Sequence, residues 1–312
     1  MAKQAVLLLA HGTADSIDEI PAYLRNVTSG RPLPEHVVHE VERRYRLIGR
    51  SPLTEITFAQ ARSVEGVLAE AGAPVPVYVA MRNWKPYIAD VMRQMCADGV
   101  TAAAVICLAP QNSRTSVGLY RRAVEAEADG IEIDFTESWS EHPLLIEAFA
   151  ERLRAAEQKL SAETGAPVPV LFTAHSVPER TVAAVDGKPA DPYAEHARAT
   201  AELVAAQVPE IPRWWFAFQS QGASGGAWIG PSVEQTLALM AGEGVKTLLL
   251  QPIGFLCDHV EILYDVDIQF REEAERLGLR LDRPASLNES PLLARAIADL
   301  AHAGLLRLGE KV

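Results

Sequence analysis

The fold of this chain is decided by the stretch PVPVLFTAHS at residues 167–176, a short apolar run that ends in a histidine. A run of this length, bounded by proline and by polar residues, is typical of a strand buried on both faces of a parallel sheet. A second run of the same kind, AVLLLAHG, occupies residues 5–12 and also leads into a histidine. Two buried strands that both end in Ala-His indicate two similar halves.

Other apolar runs repeat the pattern along the chain, and segments with helical spacing separate them. Alternation of strand and helix is typical of parallel sheets covered by crossover helices. The sequence therefore predicts an α/β protein of two similar Rossmann-like, doubly wound domains, with parallel four-stranded sheets facing a central cleft. The predicted strands are Ala5–Ala10, Val75–Met81, Ala102–Pro110, Ile131–Thr136, Pro167–Ala174, Trp214–Gln219, Thr247–Pro252 and Leu279–Asp282.

The boundary between the predicted domains lies near residue 140. Residues 1–140 form an N-terminal domain, in which a longer gap after the first strand leaves room for an insertion around 20–45. Residues 141–312 form a C-terminal domain that carries the chemistry, and we expect its last helix to pack back on the first domain. In open parallel sheets ligands lie beyond the carboxyl ends of the strands, so the loops after the strands are where a site is expected.

The composition excludes several classes of function. The chain has 312 residues, 48% of them hydrophobic, and its net charge of −12 disfavours nucleic acid and anionic membranes as partners. Cys96, Cys107 and Cys257 form no CxxC pair, which excludes a disulfide framework and, within one chain, a four-cysteine zinc or iron–sulfur site. No apolar run approaches the ~18 residues of a spanning helix, and no signal segment is evident, so we expect a cytoplasmic protein.

Two loops of the second predicted domain carry candidate catalytic residues. His175 follows the fifth strand, where a histidine serves as a base, a metal ligand or a structural residue. After the seventh strand, Asp258, Glu261 and Asp265 lie at i, i+3 and i+7 of a predicted helix and form one carboxylate stripe. The alternative is structural, because Asp258 as N-cap and Glu261 at N3 fit a capping box. Since both loops end at one sheet edge, we favour a site that handles protons or a divalent cation.

Arginine and aromatic residues in other loops indicate a flat, anionic ligand. Arg31 and Arg44 belong to the insertion, while Arg82 and Tyr120 follow the second and third strands. Arginine suits bidentate recognition of carboxylates, although solvated helix faces also carry such residues. Trp228 lies in a glycine-rich loop at 222–230 that lacks the GxxxxGK[ST] pattern of nucleotide sites, so it lines a flat apolar ligand or packs in the core.

Several short motifs follow one another in a fixed order along the chain. They are GRSPL at 49–53, HSVP at 175–178, DPY at 191–193, FQS at 218–220, WIGP at 228–231, PIGF at 252–255, DHVE at 258–261 and SLN at 286–288. This series resembles that of ferrochelatases, and the resemblance covers nearly the whole chain. It implies an enzyme of heme biosynthesis that inserts Fe²⁺ into a porphyrin and releases two protons. It also implies two Rossmann-like domains, no cofactor beyond the substrate iron and no iron–sulfur cluster.

The resemblance also implies roles for single residues. His175 and Glu261 correspond to the catalytic pair, and Asp265 continues an acidic path, so that His175, Glu261 and Asp265 form the implied metal-binding set. Gln269 stands where the family usually has an acidic residue, which argues against a second, outer cation site. Positions 14 and 15 hold Ala-Asp where some members place a tyrosine.

The implied substrate contacts are distributed over both domains. Family members that act on coproporphyrin III must anchor four propionates, and part of this set resembles the positions that do so, namely Arg31, Arg44, Ser51 and Tyr120. We therefore favour coproporphyrin III over protoporphyrin IX. The full set of implied porphyrin contacts is Arg31, Arg44, Ser51, Arg82, Tyr120 and Trp228.

The expected partners are the porphyrin and ferrous iron, with no nucleic acid, no transmembrane segment and at most a peripheral membrane contact. Two alternatives remain from the sequence. One is a chelatase for another metal and tetrapyrrole, such as cobalt with sirohydrochlorin, in which His11 is the metal-side residue because Ala10-His11-Gly12 resembles that group. The other is a two-domain ligand-binding protein without catalysis.

Overall fold

A computed structural model describes residues 3–184, 187, 189–221 and 226–310. The chain divides into two units, Met1–Trp139 with Asn288–Val312, and Ser140–Leu287. Within the described residues each unit contains one four-stranded, all-parallel sheet with helices in the connections. The predicted α/β fold class is thereby confirmed. Each predicted strand is present, two with the predicted bounds and the others with ends shifted by at most three residues.

The first unit is built around a central strand that is apolar on both faces. Its strands are β1 (Gln4–Ala10), β2 (Val77–Met81), β3 (Ala102–Cys107) and β4 (Glu132–Thr136), in the order β2-β1-β3-β4. Every residue of β1 after Gln4 is buried, as expected for a strand covered by helices on both faces. The helices are α1 (Ile20–Val27), α2 (Glu35–Ile48), α3 (Leu53–Glu70), α4 (Ile88–Ala97), α5 (Val117–Glu125) and, from the C-terminal segment, α11 (Pro291–Gly309).

Helix α11 belongs to the first unit although it follows the whole of the second in sequence. A Cβ atom on Gly304 would lie 3.0 Å from Ala104 Cβ and 2.9 Å from Asp134 Oδ1, so only glycine permits this approach to the sheet. Three residues further on, Arg307 donates two hydrogen bonds to Asp134, at 2.8 and 2.7 Å. The sequence boundary at 140 therefore separates α11 from the unit on which it packs.

The second unit repeats the same topology. Its strands are β5 (Val170–His175), β6 (Trp214–Gln219), β7 (Thr247–Pro252) and β8 (Arg280–Asp282), in the order β6-β5-β7-β8. Strand β5 is central, and an apolar core forms between the sheet and the helices of this unit. The helices are α6 (Pro143–Thr164), α7 (Glu179–Val182), α8 (Tyr193–Ala206), α9 (Val233–Gly242) and α10 (Arg271–Arg276).

The segment between β7 and α10 departs from the predicted α-helix. Residues Glu261–Phe270 form a π-helix, in which backbone bonds join i and i+5 and each turn is wider than in an α-helix. Its N-cap, Val260, makes no side-chain capping hydrogen bond, so the capping box of Asp258 and Glu261 is wrong. Asp258 precedes the π-helix, so of the predicted carboxylate stripe only Glu261 and Asp265 lie on this helix. Single π-turns are frequent at functional sites.

No helix within the described ranges combines the length and the hydropathy needed to cross a bilayer.

Candidate active site

The end of β5 is enclosed by the loops that follow its two neighbouring strands. The Ser176 N–H donates to the carbonyl of Gln219 at 2.6 Å, and the Ile253 N–H donates to the carbonyl of Thr173 at 2.8 Å. A Cβ atom on Gly254 would lie 3.3 Å from Ala174, so the small residue lets the loop after β7 pass close over the strand end. These contacts bring three strand-end loops of one sheet together around His175.

His175 and Glu261 face each other at this edge. Nδ1 of His175 donates to the carbonyl of Ser176, so Nε2 is the ring nitrogen that faces Glu261. Nε2 lies 3.6 Å from Glu261 Oε2, and the two side chains are 34% and 31% exposed. Glu261 Oε2 is buried and has no hydrogen-bond partner among the described residues. The pair thus presents an imidazole nitrogen and a carboxylate oxygen that are both available to a proton or a metal ion.

Tyr193 fixes the backbone of the histidine. Its hydroxyl donates to the carbonyl of His175 at 2.8 Å, and its own N–H donates to Asp191 Oδ1 at 3.0 Å. Burial raises the pKa of Tyr193, so its hydroxyl keeps its proton for this bond. The DPY motif at 191–193 therefore has a positional role that its sequence alone does not reveal.

Asp265 takes part in a chain of hydrogen bonds that leads back to β5. It is 3% exposed, and the Ser220 hydroxyl donates to its Oδ2. Gln219 Nε2 donates to Ser220 Oγ at 3.3 Å, and Thr173 Oγ1 donates to Gln219 Oε1 at 2.6 Å. Ser220 adopts a left-handed backbone with φ of 61°, which is uncommon for a residue other than glycine. Ser220 belongs to the FQS motif, but the sequence does not predict the strained backbone conformation of this residue.

Phe255 makes edge-to-face contacts with two histidine rings, one of them His175. Phe255 lies between His175 and His259, with ring centroids 6.3 Å and 4.5 Å away. Nδ1 of His259 donates to the carbonyl of Cys257 at 3.0 Å. Burial lowers the pKa of His259 below its ordinary value, which favours the neutral ring.

The implied metal set of His175, Glu261 and Asp265 stays a prediction. Within the described ranges, no three His, Cys, Asp or Glu side chains are grouped so that they could hold a metal ion together. His175 and Glu261 lie 3.6 Å apart. A pair of nitrogen and oxygen donors suits ferrous iron that is held as a substrate and passed on.

Trp228 is tied to the loop after β5. The Ile229 N–H donates to the carbonyl of Val177 at 3.0 Å, and Ser176 Oγ donates to the carbonyl of Ile229 at 2.8 Å. Trp228 itself forms an antiparallel bridge with Pro178 and is half-buried. The tryptophan, in the loop after β6, is therefore held against the loop that begins at His175. Residues 222–225 of the predicted glycine-rich loop lie outside the described residues.

In the first unit, Arg82 and Tyr120 come together. The guanidinium carbon of Arg82 lies 5.1 Å from the centroid of the Tyr120 ring, within the range of a cation–π contact. Burial raises the pKa of Tyr120. Arg82 Nη1 and Ser51 Oγ are buried atoms without a hydrogen-bond partner in the described part of the chain. Such donors are suited to receive an anionic group.

Arg31 and Arg44 lie on the insertion, each with a local partner. Arg44 Nε donates to Glu40 Oε1 at 3.1 Å, and Arg43 also binds this carboxylate. The hydrogen bond from Arg43, followed by that from Arg44, lowers the pKa of Glu40 to about 2. Arg31 is exposed, and its Nε donates to the carbonyl of Thr28 at 3.2 Å.

His11, which follows β1, has its ring nitrogens engaged. Asn83 Nδ2, which can only donate, lies 2.9 Å from His11 Nε2, so Nε2 accepts. The proton of the neutral ring is then on Nδ1, which is 3.1 Å from the carbonyl of Gly12 and 3.2 Å from the Tyr23 hydroxyl. The side chain is thus held by hydrogen bonds within its own unit.

Comparison with known structures defines the class to which this fold belongs. The crystal structure of sirohydrochlorin chelatase SirB from Bacillus subtilis in complex with cobalt matches with a TM-score of 0.56 at 13% identity, covering 97% of this chain and 95% of that chain. CbiX, described as the terminal enzyme of siroheme biosynthesis in denitrifying bacteria, matches with a TM-score of 0.50 at 15% identity, covering 96% of this chain and 98% of that chain. The chain shares the fold of these two proteins.

Sequence comparison names the family. A family model described as ferrochelatase matches residues 3–305. A ferrochelatase of Acidobacterium capsulatum is 59% identical over 98% of this chain and 96% of its own length. A coproporphyrin III ferrochelatase of Geobacillus thermodenitrificans is 32% identical over 100% of this chain and 99% of its own length. The chain belongs to the ferrochelatase family and is an enzyme that inserts iron into a porphyrin in heme biosynthesis.

Proposed function

We propose that His175 and Glu261 carry out the iron insertion in this protein. The observation that supports this assignment is the 3.6 Å approach of His175 Nε2 to a carboxylate oxygen of Glu261 that has no hydrogen-bond partner in the described residues. The porphyrin must lose two N–H protons as Fe²⁺ binds its four nitrogens. In the proposed step a neutral imidazole accepts the first proton at Nε2, and the carboxylate beside it stabilises the imidazolium that results. Because the pair is a third exposed, the imidazolium passes this proton to water and the imidazole then accepts the second.

Glu261 has a second task in this proposal. Ferrous iron arrives hydrated and must exchange water for porphyrin nitrogens, so a neighbouring anionic oxygen lowers the cost of that exchange. Imidazole and carboxylate both bind Fe²⁺ without holding it as tightly as a closed cage of thiolates would. Two ligands that are each about a third exposed fit a group that captures the ion and then releases it.

The alternative chelatase, with His11 on the metal side, is less well supported. His11 Nε2 accepts a hydrogen bond from Asn83 at 2.9 Å, so metal binding there would have to break that bond. His175 Nε2 faces an acid instead. The likeness to cobalt-containing SirB is at 13% identity and shows the shared fold alone.

We further propose coproporphyrin III as the porphyrin. Ser51 Oγ and Arg82 Nη1 are buried donors without partners in the described residues, and Arg44 and Arg31 add positive charge in a chain of net charge −12. Four propionates need more such donors than the two of protoporphyrin IX. Relatives named coproporphyrin III ferrochelatase also match over nearly the whole chain.

The test is an absorbance time course under anaerobic conditions with Fe²⁺ and each porphyrin in turn. We expect a higher kcat/KM with coproporphyrin III. Arg44→Gln should raise KM for coproporphyrin III by about tenfold and KM for protoporphyrin IX by less, because one bidentate carboxylate contact is lost. Arg46→Gln, which removes an exposed arginine two residues away, is the control. A preference for protoporphyrin IX, or an equal effect of both variants, would overturn the choice of porphyrin.

We also place the reaction in the cytoplasm, with the porphyrin and ferrous iron as partners and at most peripheral contact with a membrane. Cys96, Cys107 and Cys257 are free thiols, which fits a reducing compartment. Fractionation of cells that express the chain, followed by activity measurement in each fraction, tests this assignment.

A further inference from the structure

Arg283 forms the most extensively bonded charged group near the π-helix. Its guanidinium has five N–H donors, and the five contacts to acceptors match that number. Nε and Nη2 donate to the two carboxylate oxygens of Asp267 at 2.7 and 2.8 Å, and Nη2 also donates to Asp258 Oδ1 at 3.1 Å. Nη1 donates to the carbonyl of Pro284 at 3.2 Å and to Ser286 Oγ at 3.3 Å.

The two carboxylates that Arg283 joins lie on either side of Glu261. Asp258 belongs to the loop before the π-helix, and Asp267 lies within it. Ser286 Oγ donates to Asp258 Oδ1 at 2.6 Å, so two residues from the segment after β8 hold that loop. The Arg283 side chain is only 13% exposed, and a buried, bidentate arginine–carboxylate pair has a fixed geometry. The segment after β8 therefore fixes both flanks of Glu261.

Glu261 differs from the other carboxylates of this segment. Asp258 and Asp267 accept hydrogen bonds from Arg283, and Asp265 accepts one from Ser220. Oε2 of Glu261 has no such partner among the described residues. The position of Glu261 must therefore come from its backbone, and the backbone is held by the contacts of its neighbours.

We propose that Arg283 is a positioning residue that sets the distance between Glu261 and His175 by tying Asp258 to Asp267 across the first turns of the π-helix. Arg283 also neutralises two carboxylates that would otherwise attract Fe²⁺ away from the pair. The inference rests on the role of Glu261 proposed above. Lysine cannot replace this group, because an ammonium lacks the planar fork that reaches both carboxylates.

The test measures Fe²⁺ and porphyrin dependence separately for Arg283→Lys. We expect the KM for Fe²⁺ to rise by about tenfold, as is typical when a group that orients a metal ligand is lost, with the porphyrin KM unchanged within about twofold. Arg280→Lys is the matched control, since Arg280 lies three residues earlier and pairs with Glu163 and Asp282 at the surface. It should leave both KM values unchanged.

A double variant separates positioning from general stabilisation. If Arg283 acts through Glu261, then Glu261→Gln with Arg283→Lys should be no less active than Glu261→Gln alone, within about twofold. The inference would be overturned if the activity losses of the two single variants multiplied in the double variant. An equal rise in the KM values for Fe²⁺ and porphyrin in Arg283→Lys would also overturn it. If Glu261→Gln alone retains parent activity, the role of Glu261 itself is wrong, and the inference falls with it.

If Arg283→Lys does not fold, Asp267→Asn tests the same contact from its other side. It keeps the shape of the acceptor and removes its charge, so the pairing weakens while the packing stays. We expect the same selective rise in the KM for Fe²⁺, of smaller size than for Arg283→Lys. A fall in melting temperature with unchanged KM values would assign to Arg283 a purely structural role and overturn the proposal.

Discussion

The two units have the same strand order, yet the histidines at the ends of their central strands differ in the group that their Nε2 atoms face. His11 is the more exposed of the two, but its Nε2 accepts a hydrogen bond from Asn83, which follows β2. His175 has its Nε2 facing Glu261. In the second unit the corresponding amide, Gln219 at the end of β6, binds Thr173 and Ser220. The side chain at the end of the neighbouring strand decides which histidine is available.

The difference between the two histidines predicts that insertion depends on His175. His175→Ala should lower kcat/KM for iron insertion by ~10²- to 10⁴-fold, because a general base is lost. Stability should change by less than about 1 kcal/mol, since the side chain is a third exposed. The measurement is the anaerobic absorbance assay together with thermal unfolding, and His302→Ala, an exposed histidine on α11, is the control. Activity within tenfold of the parent would contradict the assignment.

Glu261→Gln tests the other member of the pair. We expect kcat/KM to fall at least tenfold, because the amide can neither stabilise an imidazolium nor bind Fe²⁺ as an anion. The free energy of unfolding should change by no more than about 0.5 kcal/mol, since the unpartnered oxygen contributes no hydrogen bond to the fold. Glu275→Gln, on the exposed part of α10, is the matched variant. A large loss of stability with activity retained would show that Glu261 is structural.

His11→Ala should show the reverse pattern. It removes the acceptor of Asn83 Nδ2, and Asn83 is 4% exposed, so an unsatisfied buried donor remains. We expect a loss of about 1 kcal/mol in stability, measured by urea unfolding. Insertion activity should fall by less than tenfold with Fe²⁺ and with Co²⁺. A loss as large as that of His175→Ala with Co²⁺ alone would support the alternative chelatase.

The smallest expected effect concerns a turn that the first unit lacks. Ser220, after β6, has a positive φ, whereas residues 82–84 after β2 have none in the described chain. Ser220→Ala and Ser220→Gly both remove the hydroxyl that donates a hydrogen bond to Asp265. Iron-insertion activity should therefore fall equally in the two variants, by a few-fold. Glycine relieves the left-handed strain, so Ser220→Gly should be more stable than Ser220→Ala by about 1 kcal/mol in urea unfolding. Equal stabilities would remove strain as a feature of this loop.

The fold could be predicted because its signals are local. Strands β1 and β5 are apolar on both faces, and burial between helices requires that pattern at any position in the chain. The resemblance in motif order also predicted the family and the pairing of His175 with Glu261. The structure places these two side chains 3.6 Å apart. The roles of these residues, and of the porphyrin contacts, stay predictions.

What could not be predicted depends on contacts distant in sequence. The π-helix differs from an α-helix by one residue in its bonding, and no local propensity distinguishes the two over residues 261–270. Arg283 lies in the segment after β8 and bonds to Asp267 of the π-helix. The only sequence signal for this contact is that Arg283 follows a predicted strand. Asn83 and Ser220 illustrate the same point, since an amide or hydroxyl in a loop has many possible partners until the sheet selects one.

Because α11 packs on the first unit, the order in which the ribosome makes the chain affects how that unit folds. The ribosome releases Ser140–Leu287 before Pro291–Gly309, so the first sheet lacks one of its covering helices while the entire second unit is being translated. During that interval the face of β3 that will meet Gly304 is open to solvent or to chaperones. The nascent first unit must wait for its final layer, whereas the second unit is complete as soon as its own residues have emerged.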